Sequence, residues 1–267
     1  MNQRIKSQNG HQNYENQAIF QHINANSNYW AYGKLRPFQP ELGKIPIQNE
    51  ILRSLPENVL QELLSHMELI HFGSGENLYQ PDDIINNLYF PETVIISDFQ
   101  ILQDGKTMEV AMTGREGMVG ISALFNSQIS PNWIQASIPG KAWKIDSKTF
   151  RQKFKSWESL QKLIFEYVNL YIAQISQKVV CNSHHSVEER LCCWLLMISD
   201  RCGLKSLPLT QEQIAGFLGV HRPSVTLITQ SLRDNGVINY LRGKISILDK
   251  VKLEFASCDC YSTTKVM

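Results

Sequence analysis

The stretch Leu209–Asn235, LTQEQIAGFLGVHRPSVTLITQSLRDN, admits few folds. Thr210 is placed to N-cap a helix, and Gln213, three residues on, completes a capping box. Ile214, Phe217 and Leu218 follow at helical spacing and form one apolar stripe. Gly219 supplies the left-handed residue that ends a helix cheaply. Val220 or His221 opens a second helix, and Pro223 is tolerable there because it lies in the first turn. In that helix Val225, Ile228 and Leu232 share the inward face. Pro223, Thr226, Leu227, Gln230 and Asp234 share the outward one, flanked by Arg222 and Arg233. Such an outward face suits the major groove of DNA: Arg binds guanine, Gln binds adenine, and Thr or Leu touches the thymine methyl. A plain two-helix corner in a core is the competing reading.

The next residues narrow the choice. Gly236–Tyr240 and Lys244–Leu248 are alternating β-type runs around Leu241-Arg242-Gly243, a hairpin signal. Helix, turn, helix, hairpin is a winged helix-turn-helix. Between residues 210 and 252 the basic side chains Arg222, Arg233, Arg242, Lys244, Lys250 and Lys252 outnumber Glu212, Asp234 and Asp249. That local excess sits where phosphates would be met, in a chain whose net charge is only +1.

A near-neutral chain of 267 residues is not a polyanion-coating protein, and it is long enough for two domains. No apolar run reaches membrane-spanning length, and MNQRIKSQNG lacks a signal peptide's apolar segment, so a reducing cytoplasm is expected and a membrane partner is not. Cys181, Cys192, Cys193, Cys202, Cys258 and Cys260 fit neither a disulfide scaffold nor a metal-ligand pattern. Cys192-Cys193 reads as core. Cys258-Asp259-Cys260 reads as a bystander pair in the tail, with redox activity the alternative. His184, His185, Glu188 and Glu189 invite a metal reading, but Ser186 and Glu189 make a capping box without one. No metal is expected.

Residues 1–44 are rich in Asn and Gln and read as a disordered arm. Asn49–Pro56 predicts a short helix, and Val59, Leu60, Leu63, Leu64 and Met67 predict another. From residue 68 to about 146 the period becomes two. Strands are expected at Leu69–Phe72, Ile84–Phe90, Val94–Phe99, Met108–Thr113, Trp133–Ile138 and Ala142–Asp146, separated by turn residues, so a β-roll or sandwich spans 45–153. Helical spacing returns from 147 to about 181. Leu160, Leu163, Tyr167, Leu170, Gln174 and Gln177 fall near one seam, the expected dimer interface of a helix over 154–183. Residues 184–254 form the winged helix-turn-helix and 255–267 a tail. The fold class is α+β: N-terminal β-roll, long dimerisation helix, C-terminal winged helix-turn-helix.

That order resembles the Crp/Fnr transcription regulators from about Ile45 to Leu253. The matching stretches are Asn49–Pro56, Phe72–Pro81, Gly114–Gly120 and, most specifically, Leu209–Asn235. The resemblance implies a homodimeric, sequence-specific DNA-binding regulator whose jelly-roll-like effector domain is of the cyclic-nucleotide-binding type. Two departures matter. Gly120-Ile121-Ser122 stands where the cyclic-nucleotide-binding members carry Gly-Glu-Leu, and Ser130-Pro131 falls about where their Arg-Ser pair holds the phosphate. No Arg or Lys occurs from Glu116 to Gly140, so a buried cyclic phosphate would lack its counter-charge. Gly120, Ile121, Ser122, Ser130 and Pro131 therefore mark a degenerate effector pocket, with Tyr89, Trp133 and Trp143 as further lining or, more simply, core. The family's iron–sulfur branch uses an N-terminal cysteine cluster, and residues 1–180 contain no cysteine. Haem is not argued by His66 and His71 alone.

In the second helix Arg222 matches the family's leading Arg, but Pro223 follows it and Leu227 replaces an Arg, so the operator should be an unfamiliar one. Arg222, Thr226, Leu227 and Gln230 are expected to contact bases, and Thr210, Gln211, His221, Ser224 and Lys244 to contact phosphates. The partners expected are double-stranded DNA, a second copy of the chain, RNA polymerase through the loop Gly203–Pro208, and an unidentified small-molecule or protein effector. An interaction module with a relic nucleotide pocket, its DNA binding controlled by a partner protein, is the alternative. No catalytic triad, phosphate-cradling loop or metal motif supports an enzyme.

Overall fold

Asn49 caps helix α1 (Glu50–Arg53), its side chain accepting from the Leu52 amide. The computed structural model describes residues 47–125 and 128–265. The arm read at 1–44 lies outside them. After α2 (Glu57–Leu64), the alternating stretch folds as seven strands: β1 (Met67–Phe72), β2 (Asn77–Tyr79), β3 (Asn87–Pro91), β4 (Ile95–Ile101), β5 (Thr107–Thr113), β6 (Trp133–Ile138) and β7 (Gly140–Asp146). They make two antiparallel sheets, in the orders β1-β7-β3 and β2-β6-β4-β5. Strand β6 has the span expected of it. The strand expected from Ile84 begins only at Asn87, because Ile84 makes no more than an isolated bridge to Ile129. Gly140 starts β7 where a Cβ would meet the Val94 amide nitrogen at 2.4 Å.

The helical region after the roll is two helices. α3 (Ser147–Ser156) is N-capped by Asp146, and α4 (Glu158–His184) follows a break at Trp157. The Gln161 side chain donates to the Phe154 and Lys155 carbonyls and so satisfies the end of α3. α4 is about 40 Å long at the usual rise. α5 (Val187–Cys202) starts with the expected Ser186–Glu189 capping box and ends on left-handed Gly203. Then come β8 (Ser206–Leu207), α6 (Gln211–Leu218), α7 (Arg222–Asp234), β9 (Ile238–Leu241), β10 (Lys244–Ile247), α8 (Lys250–Phe255) and α9 (Cys260–Lys265). The expected tail, 255–267, contributes structure over its described part: Cys258, Cys260 and Tyr261 are buried, and the Tyr261 hydroxyl donates to Asp200 at 2.6 Å.

Two apolar clusters hold the chain together. One fills the roll and takes in Leu52, Leu63, Phe90, Ile96, Phe150, Leu160 and Tyr167. The other crosses from the roll into the C-terminal domain, joining Ile95, Phe99, Met112 and Trp133 to Trp194, Phe217, Leu218 and Val225. Phe99 stacks on Phe217 at 5.3 Å, and Trp194 lies 4.9 Å from the same ring. Gly219 passes so close to β5 that a Cβ would sit 2.5 Å from Met108 Cε. The helix-turn-helix is therefore docked on the β4–β5 hairpin. Buried Glu109 ties this junction together, accepting from Ser97 Oγ (2.7 Å) and Trp194 Nε1 (2.9 Å) and pairing with Lys178 at 3.3 Å.

The expected dimer seam is corrected. Leu160, Tyr167 and Gln174 are buried against their own roll, and Leu163 packs on the same core. Tyr167 lies where a Cβ on Gly117 would sit, and its hydroxyl bonds Thr113 Oγ1 at 3.1 Å. Gln174 bonds both backbone groups of Met112, and Gln177 donates to Cys260 Sγ at 3.0 Å. Only Leu170 of the six is exposed, and Phe165, Ile172, Val179 and Val180 of the same helix are exposed as well. Phe165, Ile172 and Val179 recur every seven residues and form the outward apolar stripe. On the inner side the Tyr171 hydroxyl donates to Asp98, whose carboxyl is pushed up to about 7 by burial and then by the Glu109 charge.

Candidate DNA-reading surface

Local chemistry fixes the two helices of this surface. Thr210 Oγ1 accepts from the Gln213 amide while the Gln213 side chain accepts from the Thr210 amide. Gly219 adopts φ 65° and turns the chain out of α6. His221 N-caps α7, with Pro223 in its first turn. Val225, Thr229 and Leu232 are buried and anchor α7 against α6 and α5. Thr229 joins this inner face through its hydroxyl, which donates to the Val225 carbonyl at 2.8 Å.

The outer face carries Arg222, Pro223, Thr226, Leu227, Gln230 and Asp234, all exposed. Leu227 is 73% exposed, a large apolar side chain held at the centre of a polar face. Arg222 makes only a long 3.9 Å contact with Glu212, and both are exposed, so little holds the guanidinium back from a new partner. Gln230 accepts from Arg233 and donates to Asp234, also at the surface. Thr226 donates to the Gln211 side chain at 2.8 Å, and Gln211 donates onward to Thr229 at 3.0 Å. The Gln211 amide donates to the Tyr240 hydroxyl. Gln211 therefore braces α7 against α6 and the wing, a structural duty that its place near a phosphate-facing helix start did not reveal. Thr210 and His221 are exposed at the entrances of α6 and α7, and Ser224 is half-buried. Lys244 is exposed at the start of β10, beside the turn Arg242-Gly243, where both residues have positive φ. β8 adds a third, two-residue strand to this wing, too short to be seen as a pattern.

The stretch that carries the suspected effector pocket holds no Arg or Lys from Glu116 to Gly140. Gly120 is left-handed, and a Cβ on it would meet the Asn87 carbonyl, Leu88 and Ile85 at 3.1–3.2 Å. Ile121 and Ser122 lie in a single 3-10 turn, Ile121–Leu124. Ser130 is buried with its hydroxyl donating to the Asn132 carbonyl, its backbone exchanges bonds with Asp82 and Asp83, and Pro131 is exposed. Tyr89, Trp133 and Trp143 are all buried in the two cores, and Trp143 Nε1 donates to buried Glu92 at 2.8 Å.

Residues 189–255 match the model of the Crp-like helix-turn-helix domain, and residues 69–156 match that of the cyclic nucleotide-binding domain. The chain belongs to the Crp/Fnr family of transcription regulators. Among its relatives, the nitrogen fixation regulation protein FixK of Bradyrhizobium diazoefficiens is 23% identical over 211 residues, 76% of this chain and 88% of that one. The global nitrogen regulator of a Synechocystis species is 22% identical over 191 residues, 68% of this chain and 85% of that one. Among solved structures, FixK2 from Bradyrhizobium japonicum superimposes with a TM-score of 0.62 at 14% identity, covering 72% of this chain and 98% of that one. A CRP-family regulator from Thermus thermophilus gives 0.60 at 16% identity, covering 70% and 96%. As a Crp/Fnr regulator, the chain carries its DNA-binding function in the helix-turn-helix domain. No helix among the described residues is long and apolar enough to cross a membrane.

Proposed function

We propose that this Crp/Fnr regulator binds palindromic duplex DNA as a cytoplasmic homodimer, pairing through the outward stripe of α4 and presenting one α7 to each half-site. The observation that carries the reading is the outer face of α7, where Arg222, Thr226, Leu227 and Gln230 are all exposed above a buried inner face. Arg222 and Gln230 supply bidentate donors and acceptors for base edges, and Leu227 and Thr226 supply apolar contact for a thymine methyl. Thr210, His221, Ser224 and Lys244 surround that face and set its register on the phosphates, with Gln211 holding α7 in place. RNA polymerase is the expected protein partner, and regulation rather than catalysis is the activity. The test is binding of Arg222→Ala to the preferred duplex and to random DNA. Loss of about 1–3 kcal/mol confined to the preferred duplex, with one base position relaxed, is expected. Equal losses on both duplexes contradict a base-reading role.

The effector domain, in this reading, does not take a cyclic nucleotide in the manner of the family. The support is the absence of any Arg or Lys between Glu116 and Gly140. The first 180 residues hold no cysteine for an N-terminal iron–sulfur cluster, and their four histidines, His11, His22, His66 and His71, do not by themselves argue haem. Isothermal titration with cyclic AMP and cyclic GMP is expected to give no heat of binding at micromolar ligand. A micromolar dissociation constant for either overturns the assignment.

A further inference from the structure

The sequence scatters its cysteines, and the fold gathers three of them around a histidine. Cys181 and His185 lie one helical turn apart at the end of α4. Cys258 and Cys260 lie just before and at the start of α9. One ligand atom from each of the four falls within 4.8 Å of all the others. The three cysteines are buried and His185 is half-buried. Cysteines whose sequence spacing fits no metal pattern thus come together in space. The spacing hides this because the two pairs are far apart in sequence and each alone is uninformative.

The spacing is that of ligands around one ion. Cys181 Sγ lies 3.6 Å from Cys258 Sγ, and Cys260 Sγ lies 3.5 Å from His185 Nδ1. Tetrahedral zinc, with bonds of about 2.3 Å to sulfur and about 2.0 Å to nitrogen, sets sulfur–sulfur edges near ~3.8 Å and sulfur–nitrogen edges near ~3.6 Å. A polynuclear iron–sulfur cluster needs its sulfurs farther apart than that. The surroundings match as well. His185 Nε2 pairs with Asp259 Oδ1 at 3.3 Å, which leaves Nδ1 facing the sulfurs, the orientation that a carboxylate imposes on a metal-binding imidazole. Gln177 Nε2 donates to Cys260 Sγ at 3.0 Å. A cleft lined by Gln177, Cys181, Asn182, Cys260 and Thr264 runs alongside and gives an ion a way in.

We propose that Cys181, His185, Cys258 and Cys260 form a tetrahedral site for one zinc-class divalent ion. Three thiolates and an imidazole select a borderline-soft metal over magnesium or calcium. The ion joins the end of α4 to the segment that follows the DNA-binding domain, bridging the short hinge His185–Ser186. It thereby fixes how that domain sits on the rest of the chain, and with no water among its ligands it is structural rather than catalytic. This site stands independently of how α7 reads DNA.

The test uses the full chain, purified under reducing, oxygen-free conditions and titrated with Co2+ alone. One equivalent per chain is expected, with the intense thiolate-to-metal absorption and the visible bands of tetrahedral cobalt, displaced stoichiometrically by Zn2+. Cys260→Ser and His185→Ala are expected to lose or alter these bands, and Cys202→Ser, whose thiol is outside the cluster, to keep them. Because a ligand variant may lose its fold for other reasons, X-ray absorption of the wild-type zinc form gives a second reading: three sulfurs and one nitrogen are expected. A shell of oxygen and nitrogen alone, no cobalt binding, or a Cys181–Cys258 disulfide surviving reduction in metal-free protein each overturns the site.

Discussion

Arg201→Ala is expected to remove about 3–5 kcal/mol of stability, seen as a large drop in the urea midpoint. Arg201 leaves α5 and meets Glu116 of the roll, Nε to Oε1, at 2.9 Å, with the two side chains only 9% and 11% exposed. Glu116 also accepts from the Gly114 amide. Gly114 makes the approach possible, since a Cβ there would sit 2.7 Å from Arg201 Cβ. Deleting the guanidinium leaves a carboxylate buried against Ile95 with a single amide partner, which is why the cost exceeds that of an exposed pair. Glu116 Oε2 and Arg201 Nη1 already lack partners among the described residues. The double replacement Glu116→Gln with Arg201→Met is therefore expected to recover most of the loss. A drop below about 1 kcal/mol for Arg201→Ala would show that the pair is solvated and that the domains are held by their other contacts.

Ile172→Glu combined with Val179→Glu is expected to convert a dimer into a folded monomer and to weaken binding to a two-half-site duplex about 100-fold or more, the avidity lost when two linked contacts become one. Ile172 is 56% exposed and Val179 62% exposed, so neither change disturbs the chain's own core. In a two-fold pair each new carboxylate faces its symmetry mate, and four buried charges oppose association. Sedimentation velocity with circular dichroism reads both halves of the prediction. Leu160→Glu makes the contrast: Leu160 is fully buried in the roll, so that change is expected to unfold the protein rather than separate two copies. A Ile172→Glu/Val179→Glu protein that stays dimeric would move the interface elsewhere.

The difference between those two variants shows where sequence was enough. The helix-turn-helix was legible residue by residue because its signals are local: the Thr210–Gln213 box, left-handed Gly219 and Pro223 each act within one turn. Most strands were legible from short apolar runs set between turn residues, although β6 is buried at every position rather than on one face. α4 was legible as a helix but not as to which side faces the partner. It carries one apolar stripe, with Leu160, Ile164 and Tyr167, against its own roll and another, with Phe165, Ile172 and Val179, toward solvent. Periodicity reports both stripes and cannot rank them. The break at Trp157 was hidden for a related reason: it depends on Gln161 reaching back to α3. What the domains do to each other was illegible altogether, because Phe99 on Phe217, Glu109 with Trp194, and Cys181 with Cys258 are contacts between segments that share no local pattern.

Selection of duplexes by the full-length protein, followed by footprinting and sizing of the bound species, tests the central claim most directly. The account predicts one dimer on an inverted repeat whose half-sites are about 10–10.5 base pairs apart, centre to centre, or a multiple of that. It also predicts that the Arg222→Ala protein selects a site degenerate at one position per half. A bound monomer, or retention of random sequence after repeated selection, would contradict it.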